Sequence, residues 1–140
     1  MAKKKIAVAY DGSKGAWKAL QEAIRLAKLE KTYLRVVSVE ELPRYSDLTS
    51  EVIEEKESDN HYMHKIQKKA VELARRERVS LRMDVLVGHP ARSIVDYLKK
   101  EKVDLLVLGH SGHSSVWGLF LGTTADKVVR HAPCSVLVVR

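Results

Sequence analysis

The stretch that decides the fold reads Leu105-Leu106-Val107-Leu108-Gly109-His110-Ser111-Gly112, and it is followed at a distance by Gly122-Thr123-Thr124. A short apolar run ends at a glycine, a polar loop follows, and the second stretch leads into residues 125–131, which have the pattern of a helix. Buried strands of parallel sheets are continuous apolar runs, and open α/β sheets bind ligands at the carboxyl ends of their strands. We therefore expect a strand, a ligand-binding loop and the start of a helix.

The composition of this loop indicates an anionic ligand. Glycine lets the main chain approach a ligand closely, so that successive N–H groups converge on an anion such as phosphate. Thr123 and Thr124 add hydroxyl donors near the first turn of the next helix, where unpaired N–H groups favour negative charge. No lysine follows Gly122 and no Gly-x-Gly-x-x-Gly occurs in the chain, which excludes a Walker A loop and a dinucleotide fingerprint.

The spacing of the loop is Gly109-x2-Gly112-x9-Gly122-Thr123. It resembles the nucleotide-binding signature Gly-x2-Gly-x9-Gly-(Ser/Thr) of the ATP-binding universal stress proteins. The resemblance extends to both ends of the chain, since Ile6-Ala7-Val8-Ala9-Tyr10-Asp11-Gly12-Ser13 and Pro133-Cys134-Ser135-Val136-Leu137-Val138-Val139 occur in the expected order. The chain is therefore identified as resembling that family.

The resemblance implies an open five-stranded parallel sheet of order 3-2-1-4-5 with helices on both faces. In that order strands one and four are neighbours at the switch point, so that their loops face one crevice. The implied ligand is ATP with magnesium. The resemblance assigns Tyr10, Asp11 and Val39 to adenine and ribose, and Gly109 to Gly112 with Gly122, Thr123 and Thr124 to the phosphates. Leu108, His110 and His113 are the remaining candidates for nucleotide contacts.

Apolar periodicity predicts strands alternating with helices. The predicted strands are Lys5–Tyr10, Leu34–Val39, Leu81–Val87, Asp104–Leu108 and a fifth after Pro133. The predicted helices are Gly15–Leu29, one beginning between Ser50 and Asn60, Ala91–Lys100 and Thr123–His131. The path of residues 42–60 does not follow from the sequence. Strands alternating with helices favour a mostly parallel sheet with right-handed crossovers.

The bulk composition is typical of one globular domain, residues 1–140. The chain is 45% hydrophobic and 31% charged, which disfavours disorder. It contains no apolar run of about 18 residues that could span a bilayer, and its start does not resemble a signal peptide. Its one cysteine, Cys134, forms no internal disulfide and is expected to be a packed thiol. We expect a cytoplasmic protein without membrane contact.

The formal charge of +7 raises the question of nucleic-acid binding. The basic residues are dispersed, in Lys3–Lys5, Lys65–Arg78 and Lys99–Lys102, and the acidic block Glu51–Asp59 lies between the first two. One Phe and two Trp leave little material for base stacking. The sequence therefore favours solvated helical faces, and nucleic acid is not the expected partner.

Several site residues have a second interpretation. Asp11 either binds ribose hydroxyls or a phosphate-bound magnesium ion, or it satisfies N–H groups of its own turn. Tyr10 and Val39 either line the adenine pocket or pack at the ends of their strands. His110 and His113 are three residues apart, but the nearby sequence offers no further metal ligands, so that phosphate donors or solvent-facing groups are favoured.

Strand five, Ser135 to Val139, is apolar on both faces at the edge of the sheet. Exposed apolar edges pair with other chains, and the family resemblance implies a homodimer through this strand. The alternative is that the chain's own helices bury both faces, as is usual in parallel sheets. Three functions remain open: a nucleotide-dependent regulatory binding module of the stress response, a slow magnesium-dependent ATPase in which Asp11 positions the metal, and a nucleotide-free dimeric interaction protein. The intact glycine spacing favours the first, and no evident general base supports the second.

Overall fold

The computed structural model describes residues 3–41, 50–110 and 121–140, with the main chain alone for residues 50–60. Strands and helices alternate along the chain, as the sequence predicts. The strands are β1 (Ile6–Ala9), β2 (Leu34–Glu40), β3 (Leu81–Val87), β4 (Leu105–Gly109) and β5 (Ser135–Val139). The helices are α1 (Lys14–Leu29), α2 (Ser50–Arg76), α3 (Pro90–Lys100) and α4 (Thr123–His131).

The five strands form one parallel sheet in the order β3-β2-β1-β4-β5. This confirms the order that the family resemblance implies. Val8 of β1 pairs with Val36 of β2 on one side and with Val107 of β4 on the other. β1 and β4 are therefore neighbours. The chain adds β2 and β3 on one side of β1 and then β4 and β5 on the other side, so that the switch point of the sheet lies between β1 and β4.

Two apolar layers cover the two faces of the sheet. One layer joins α1 and α2 to side chains such as Val8, Val36 and Val107. The other joins α3 and α4 to the alternate side chains of the same strands, such as Ala7 and Leu106. Because both faces of the central strands are buried, these strands carry the continuous apolar sequences from which they were predicted.

Most boundaries of the elements lie within one residue of the predicted ones. α1 begins at Lys14, one residue before the predicted start, because Ser13 caps the helix and its Oγ accepts a hydrogen bond from Ala16 N at 3.1 Å. α3 begins at Pro90, where proline suits the first helical position. α2 begins at Ser50, the early limit of the predicted interval. The path of residues 42–49 lies outside the described residues.

The sheet has two edge strands, β3 and β5. β5 pairs with β4 on one side, and Leu137 in its centre is 37% exposed. Cys134, just before β5, is half-buried against the α3–α4 layer, and burial raises the pKa of its thiol. In the described part of the chain, no helix is both long and apolar enough to cross a membrane.

Candidate functional site

A cleft of about 600 Å³ opens at the carboxyl ends of β1, β2 and β4. Its volume lies within the range of about 300–1,000 Å³ that is usual for small-molecule sites. Its described lining includes the ends of these strands, the amino ends of α3 and α4, and one turn of α2, Tyr62 to Ile66. The cleft therefore lies at the switch point that the strand order creates.

One wall of the cleft is apolar. Val39 and Leu108 line it from the sheet, and Ile94 lines it from α3. Ile94 and Leu108 are 4% and 6% exposed, so that their positions are set by core packing and are formed before any ligand binds. The apolar periodicity of Ala91–Lys100 predicts that Ile94 faces inward from its helix, but its position in the cleft follows only from the fold.

Asp11 begins a tight turn between β1 and α1. Its Oδ1 accepts a hydrogen bond from Ser13 N at 2.9 Å, which is the turn role that the sequence leaves open. Gly12 follows with φ of +84°, a conformation that favours glycine. Tyr62 of α2 donates a hydrogen bond from its hydroxyl to the carbonyl oxygen of Asp11 at 2.8 Å. The turn is therefore held both by its own side chain and by α2.

Tyr10 borders the cleft, but its side chain belongs to the core. Only 3% of Tyr10 is exposed, and its ring lies 6.5 Å from that of Trp17, centroid to centroid. Ser38 Oγ donates a hydrogen bond of 2.6 Å to the carbonyl oxygen of Tyr10. Burial, then the nearby Tyr62 and Asp11, raise the pKa of the Tyr10 hydroxyl. Tyr10 thus offers a ligand little ring surface, and Val39 is the more accessible of the two predicted adenine contacts.

Gly109 closes the bottom of the cleft by close packing. A Cβ atom at position 109 would lie 2.7 Å from the carbonyl carbon of Gly15 in α1. Two main-chain hydrogen bonds follow Gly109. His110 N donates to Val139 O at 2.8 Å, and Gly122 N donates to His110 O at 3.0 Å. These bonds hold the two ends of the glycine loop side by side.

The amino terminus of α4 points polar groups toward the cleft. Gly122 occupies the N-cap position and contributes no side-chain cap, so that it leaves the first amides of α4 without that partner. Thr123 and Thr124 follow in the first turn, line the cleft and are exposed. Helix amino termini bind anions through such amides and through the helix dipole. This end of the cleft is suited to a phosphate group.

The charged side chains in the described lining are all acidic: Asp11, Glu40 and Glu41. Neither lysine nor arginine occurs among the described lining residues. An anionic ligand would therefore interact here with main-chain amides and hydroxyls, and its charge would call for a bound cation. The carboxylate oxygens of the lining are ligands that Mg²⁺ prefers.

The structure brings most of the predicted site residues to one cleft. Those lining it are Tyr10, Asp11, Val39, Leu108, Gly109, Gly122, Thr123 and Thr124. His110 adjoins the cleft through its main-chain bonds to Gly122 and Val139. Gly112 and His113 lie outside the described residues. Sequence reasoning missed Tyr62, which continues the apolar stripe of α2 four residues before Ile66 and could have been noticed there.

The parallel sheet and the cleft at its switch point define an open, doubly wound α/β protein of the kind that binds ligands at the carboxyl ends of its strands. A family model described as the universal stress protein family matches residues 3–140. The chain belongs to the universal stress protein family.

Individual relatives resemble the chain over nearly its whole length. A universal stress protein from Thermus aquaticus is 38% identical over 144 residues, covering 98% of this chain and 98% of that protein. The structure of the universal stress protein UspA from Lactobacillus plantarum has a TM-score of 0.88 at 26% identity and covers 100% of this chain and 99% of that one. The universal stress protein from Archaeoglobus fulgidus in complex with dAMP shares the fold, with a TM-score of 0.73 at 23% identity and 100% of both chains covered.

Proposed function

We propose that the cleft binds an adenine nucleotide, ATP in particular, and that the protein is a nucleotide-dependent regulatory module of the stress response. One observation carries the proposal: an apolar wall and the uncapped amino terminus of α4 line the same cleft of about 600 Å³. A nucleotide has the same polarity, with an apolar base at one end and an anionic group at the other.

Val39 receives the base, because it is the wall residue that is not fully buried, and Ile94 and Leu108 support it from the core. The first turn of α4 receives the phosphates. The Asp11 turn lines the same cleft, and we assign it to the ribose. The dAMP complex of the Archaeoglobus fulgidus protein supports an adenine nucleotide as the ligand class. The stress-response role follows the family to which the chain belongs.

Magnesium fits the acidic character of the described lining. Asp11, Glu40 and Glu41 would repel a bare triphosphate, whereas Mg²⁺ bound to the phosphates reduces that repulsion and accepts carboxylate ligands. Asp11 is the proposed magnesium contact. An Asp11→Asn variant tests this, because asparagine keeps an oxygen for the bond from Ser13 N. We expect the ATP affinity of the variant to be similar with Mg²⁺ and with EDTA, whereas the parent binds more tightly with Mg²⁺.

The nucleotide proposal is tested at Gly122 with a matched pair of variants. Asp and Asn are both favoured at an N-cap with extended φ and ψ, here −57° and 154°, so that both variants should fold. Gly122→Asp adds a negative charge where the phosphates are proposed to bind, and Gly122→Asn does not. Small molecules extracted from freshly purified protein are identified by mass spectrometry, and ATP with Mg²⁺ is titrated by calorimetry.

We expect ATP or ADP in the parent, and at least tenfold weaker ATP binding by Gly122→Asp than by Gly122→Asn. An empty extract together with no ATP binding by the parent would contradict the proposal. Equal ATP affinities of the two variants would show that the phosphates do not bind at the amino terminus of α4. Hydrolysis is measured in the same samples, since release of phosphate by the parent but not by Asp11→Asn would favour the slow ATPase.

We also propose a homodimer through β5. This strand has an open edge beyond β4, and Leu137 is 37% exposed on it. An exposed apolar edge strand favours pairing with a second copy. We expect Leu137→Lys to convert a dimer to a monomer in sedimentation equilibrium, and Val85→Lys, at a 40% exposed position on the opposite edge strand, to leave the dimer intact. A monomeric parent would contradict this proposal without affecting the nucleotide site.

A further inference from the structure

The amino edge of the sheet, opposite the cleft, collects basic segments that are far apart in sequence. Helices α1, α2 and α3 all end at this edge, and β1 begins there, because every strand runs in the same direction. The four segments are residues 3–5, 28–31, 75–78 and 99–102. They contain eleven of the 25 lysines and arginines of the chain but only three of its 18 acidic residues. We call this surface the basic edge.

Three of these segments end their helices in the same way. Each has the pattern basic-x-Glu-basic, and the last residue of each has a positive φ: Lys31 at 54°, Arg78 at 59° and Lys102 at 52°. The next residue closes the turn, since Thr32 N donates to Ala27 O at 3.0 Å, and Val79 and Val103 make the equivalent bonds. This is the Schellman ending, in which the position of positive φ is usually glycine.

A long side chain at such a position is conformationally unfavourable, because L-residues other than glycine are strained at positive φ. Helix ends favour positive charge, but the exposed residues of the last turn already supply it. Among the residues that the structure describes, no ion pair includes Lys31, Arg78 or Lys102. The three cations are thus exposed, unneutralised and placed at a conformational cost.

Two of the three acidic residues of the basic edge form ion pairs, and a neighbouring acid outside it, Asp104, binds the main chain of Lys5. Glu77 pairs with Lys28 at 3.7 Å, and Glu101 pairs with the buried Arg35 at 3.1 Å. Asp104 accepts a hydrogen bond from Lys5 N at 2.7 Å. The basic edge therefore keeps a net positive charge, which exposed residues such as Lys31, Arg78 and Lys102 present to solvent.

The strand order arranges the cations in a row. Arg78 precedes β3, Lys31 precedes β2, residues 3–5 precede β1, and Lys102 precedes β4, which are neighbours in that order. With neighbouring strands about 4.8 Å apart, the row is roughly 14 Å long. Tyr33, beside Lys31, is 41% exposed in this row. A row of cations with an aromatic side chain matches the phosphates and bases of a single strand.

We propose that the basic edge binds single-stranded nucleic acid, with Lys31, Arg78 and Lys102 contacting phosphates. This departs from the expectation based on sequence order, in which the basic residues are dispersed. The site lies at the opposite end of the strands from the nucleotide cleft, and it is independent of the function proposed for that cleft.

The test uses glycine at the three strained positions. The variant Lys31→Gly/Arg78→Gly/Lys102→Gly removes three charges and relieves the positive φ, so that its thermal midpoint should equal or exceed that of the parent. The control Lys18→Gln/Arg92→Gln/Lys127→Gln removes two lysines and one arginine as well, from exposed positions near the amino ends of α1, α3 and α4. Both are titrated against a fluorescein-labelled 20-nucleotide oligouridylate by anisotropy between 50 and 200 mM KCl.

We expect the parent and the control to bind similarly, and the glycine variant to bind at least tenfold more weakly at 50 mM KCl. Loss of three phosphate contacts should reduce the slope of log K against log salt by about 2. Equal weakening in the control would show a net-charge effect and overturn the proposal. No binding by the parent, or binding to phosphatidylserine vesicles in place of the oligonucleotide, would overturn it as well.

Discussion

Gly109 at the end of β4 lies directly on the main chain of Gly15 in α1, where an added Cβ would be 2.7 Å from the carbonyl carbon and 2.7 Å from the carbonyl oxygen. This contact lets β4 and the first turn of α1 approach closely below the cleft. The glycine spacing of the loop resembles a phosphate-binding signature, but at this position the structure also requires glycine for packing. Substitutions of Gly109 therefore report on folding before they report on a ligand.

We predict that Gly109→Ala lowers the free energy of unfolding by about 2–3 kcal/mol, because the added methyl group meets main-chain atoms that move only with the whole helix. Urea denaturation followed by circular dichroism measures this change. Gly122→Ala is the control, since Gly122 has an ordinary φ of −57°, and it should cost less than about 1 kcal/mol. Similar losses in the two variants would contradict the packing role of Gly109.

Tyr62 is predicted to stabilise the Asp11 turn. Tyr62→Phe removes the 2.8 Å hydrogen bond to the Asp11 carbonyl but keeps the ring, and it should cost about 0.5–1 kcal/mol because Tyr62 is 46% exposed. If Asp11 contacts the nucleotide, ATP affinity should fall several-fold at the same time. Unchanged stability together with unchanged affinity would exclude a positioning role for this hydroxyl. Tyr33→Phe, at an exposed tyrosine outside the cleft, is a control for the affinity.

The stability of the protein should decrease in alkali through Tyr97. Burial, followed by the hydrogen bond of 2.6 Å from its hydroxyl to Asp84, raises the pKa of Tyr97 to about 12. The pKa in the unfolded chain is about 10, so that the stabilisation is complete below pH 10 and is lost as the pH rises to 12. A difference of two pKa units corresponds to about 3 kcal/mol.

Tyr97→Phe should be less stable than the parent at pH 8, and its free energy of unfolding should depend less on pH between 10 and 12. Chemical denaturation at fixed pH values measures both effects. The comparison with the variant separates Tyr97 from the lysines, which titrate in the same range. Parallel pH profiles for the two proteins would contradict the prediction.

Glu101 is predicted to be more important than an ordinary surface acid. Its partner Arg35 has a side chain that is 5% exposed, and the Nε of Arg35 has no hydrogen-bond partner among the described residues. Glu101→Gln would leave this buried cation without its carboxylate at 3.1 Å, and the expected loss is about 3 kcal/mol. Glu77→Gln, whose pair with Lys28 is exposed, should cost less than 1 kcal/mol.

Arg35→Met/Glu101→Gln then provides a check on the cause. Methionine fills much of the space of arginine without a charge, and replacing a buried pair by apolar groups is often close to neutral. The double variant should recover part of the stability that Glu101→Gln loses. If the double variant is no more stable than Glu101→Gln, the loss does not come from an unpaired buried charge.

Much of the fold could be predicted from local pattern. The apolar runs of the strands and the helical stripes set the order of elements, since burial on both faces of a parallel sheet requires such runs. Asp11, Val39 and the glycines were placed at one crevice because the carboxyl ends of neighbouring strands meet. The strand order itself came from the family resemblance, and the structure confirms it.

Contacts between distant segments did not follow from the sequence. Neither the bond from Tyr62 to the Asp11 carbonyl nor the burial of the Tyr10 ring against Trp17 has a local signal, because each depends on how two helices pack on the sheet. The role of Gly109 is similar, since only the approach of α1 shows that a Cβ would not fit.

The basic residues show most clearly which properties follow from the sequence and which from the tertiary structure. Sequence alone determined where lysine and arginine occur, and by order along the chain they are dispersed. Tertiary structure decided that residues 28–31, 75–78 and 99–102 lie at one edge. The physical reason is that parallel strands need crossover helices that all run back to the same end of the sheet, so that every helix terminus before a strand meets there.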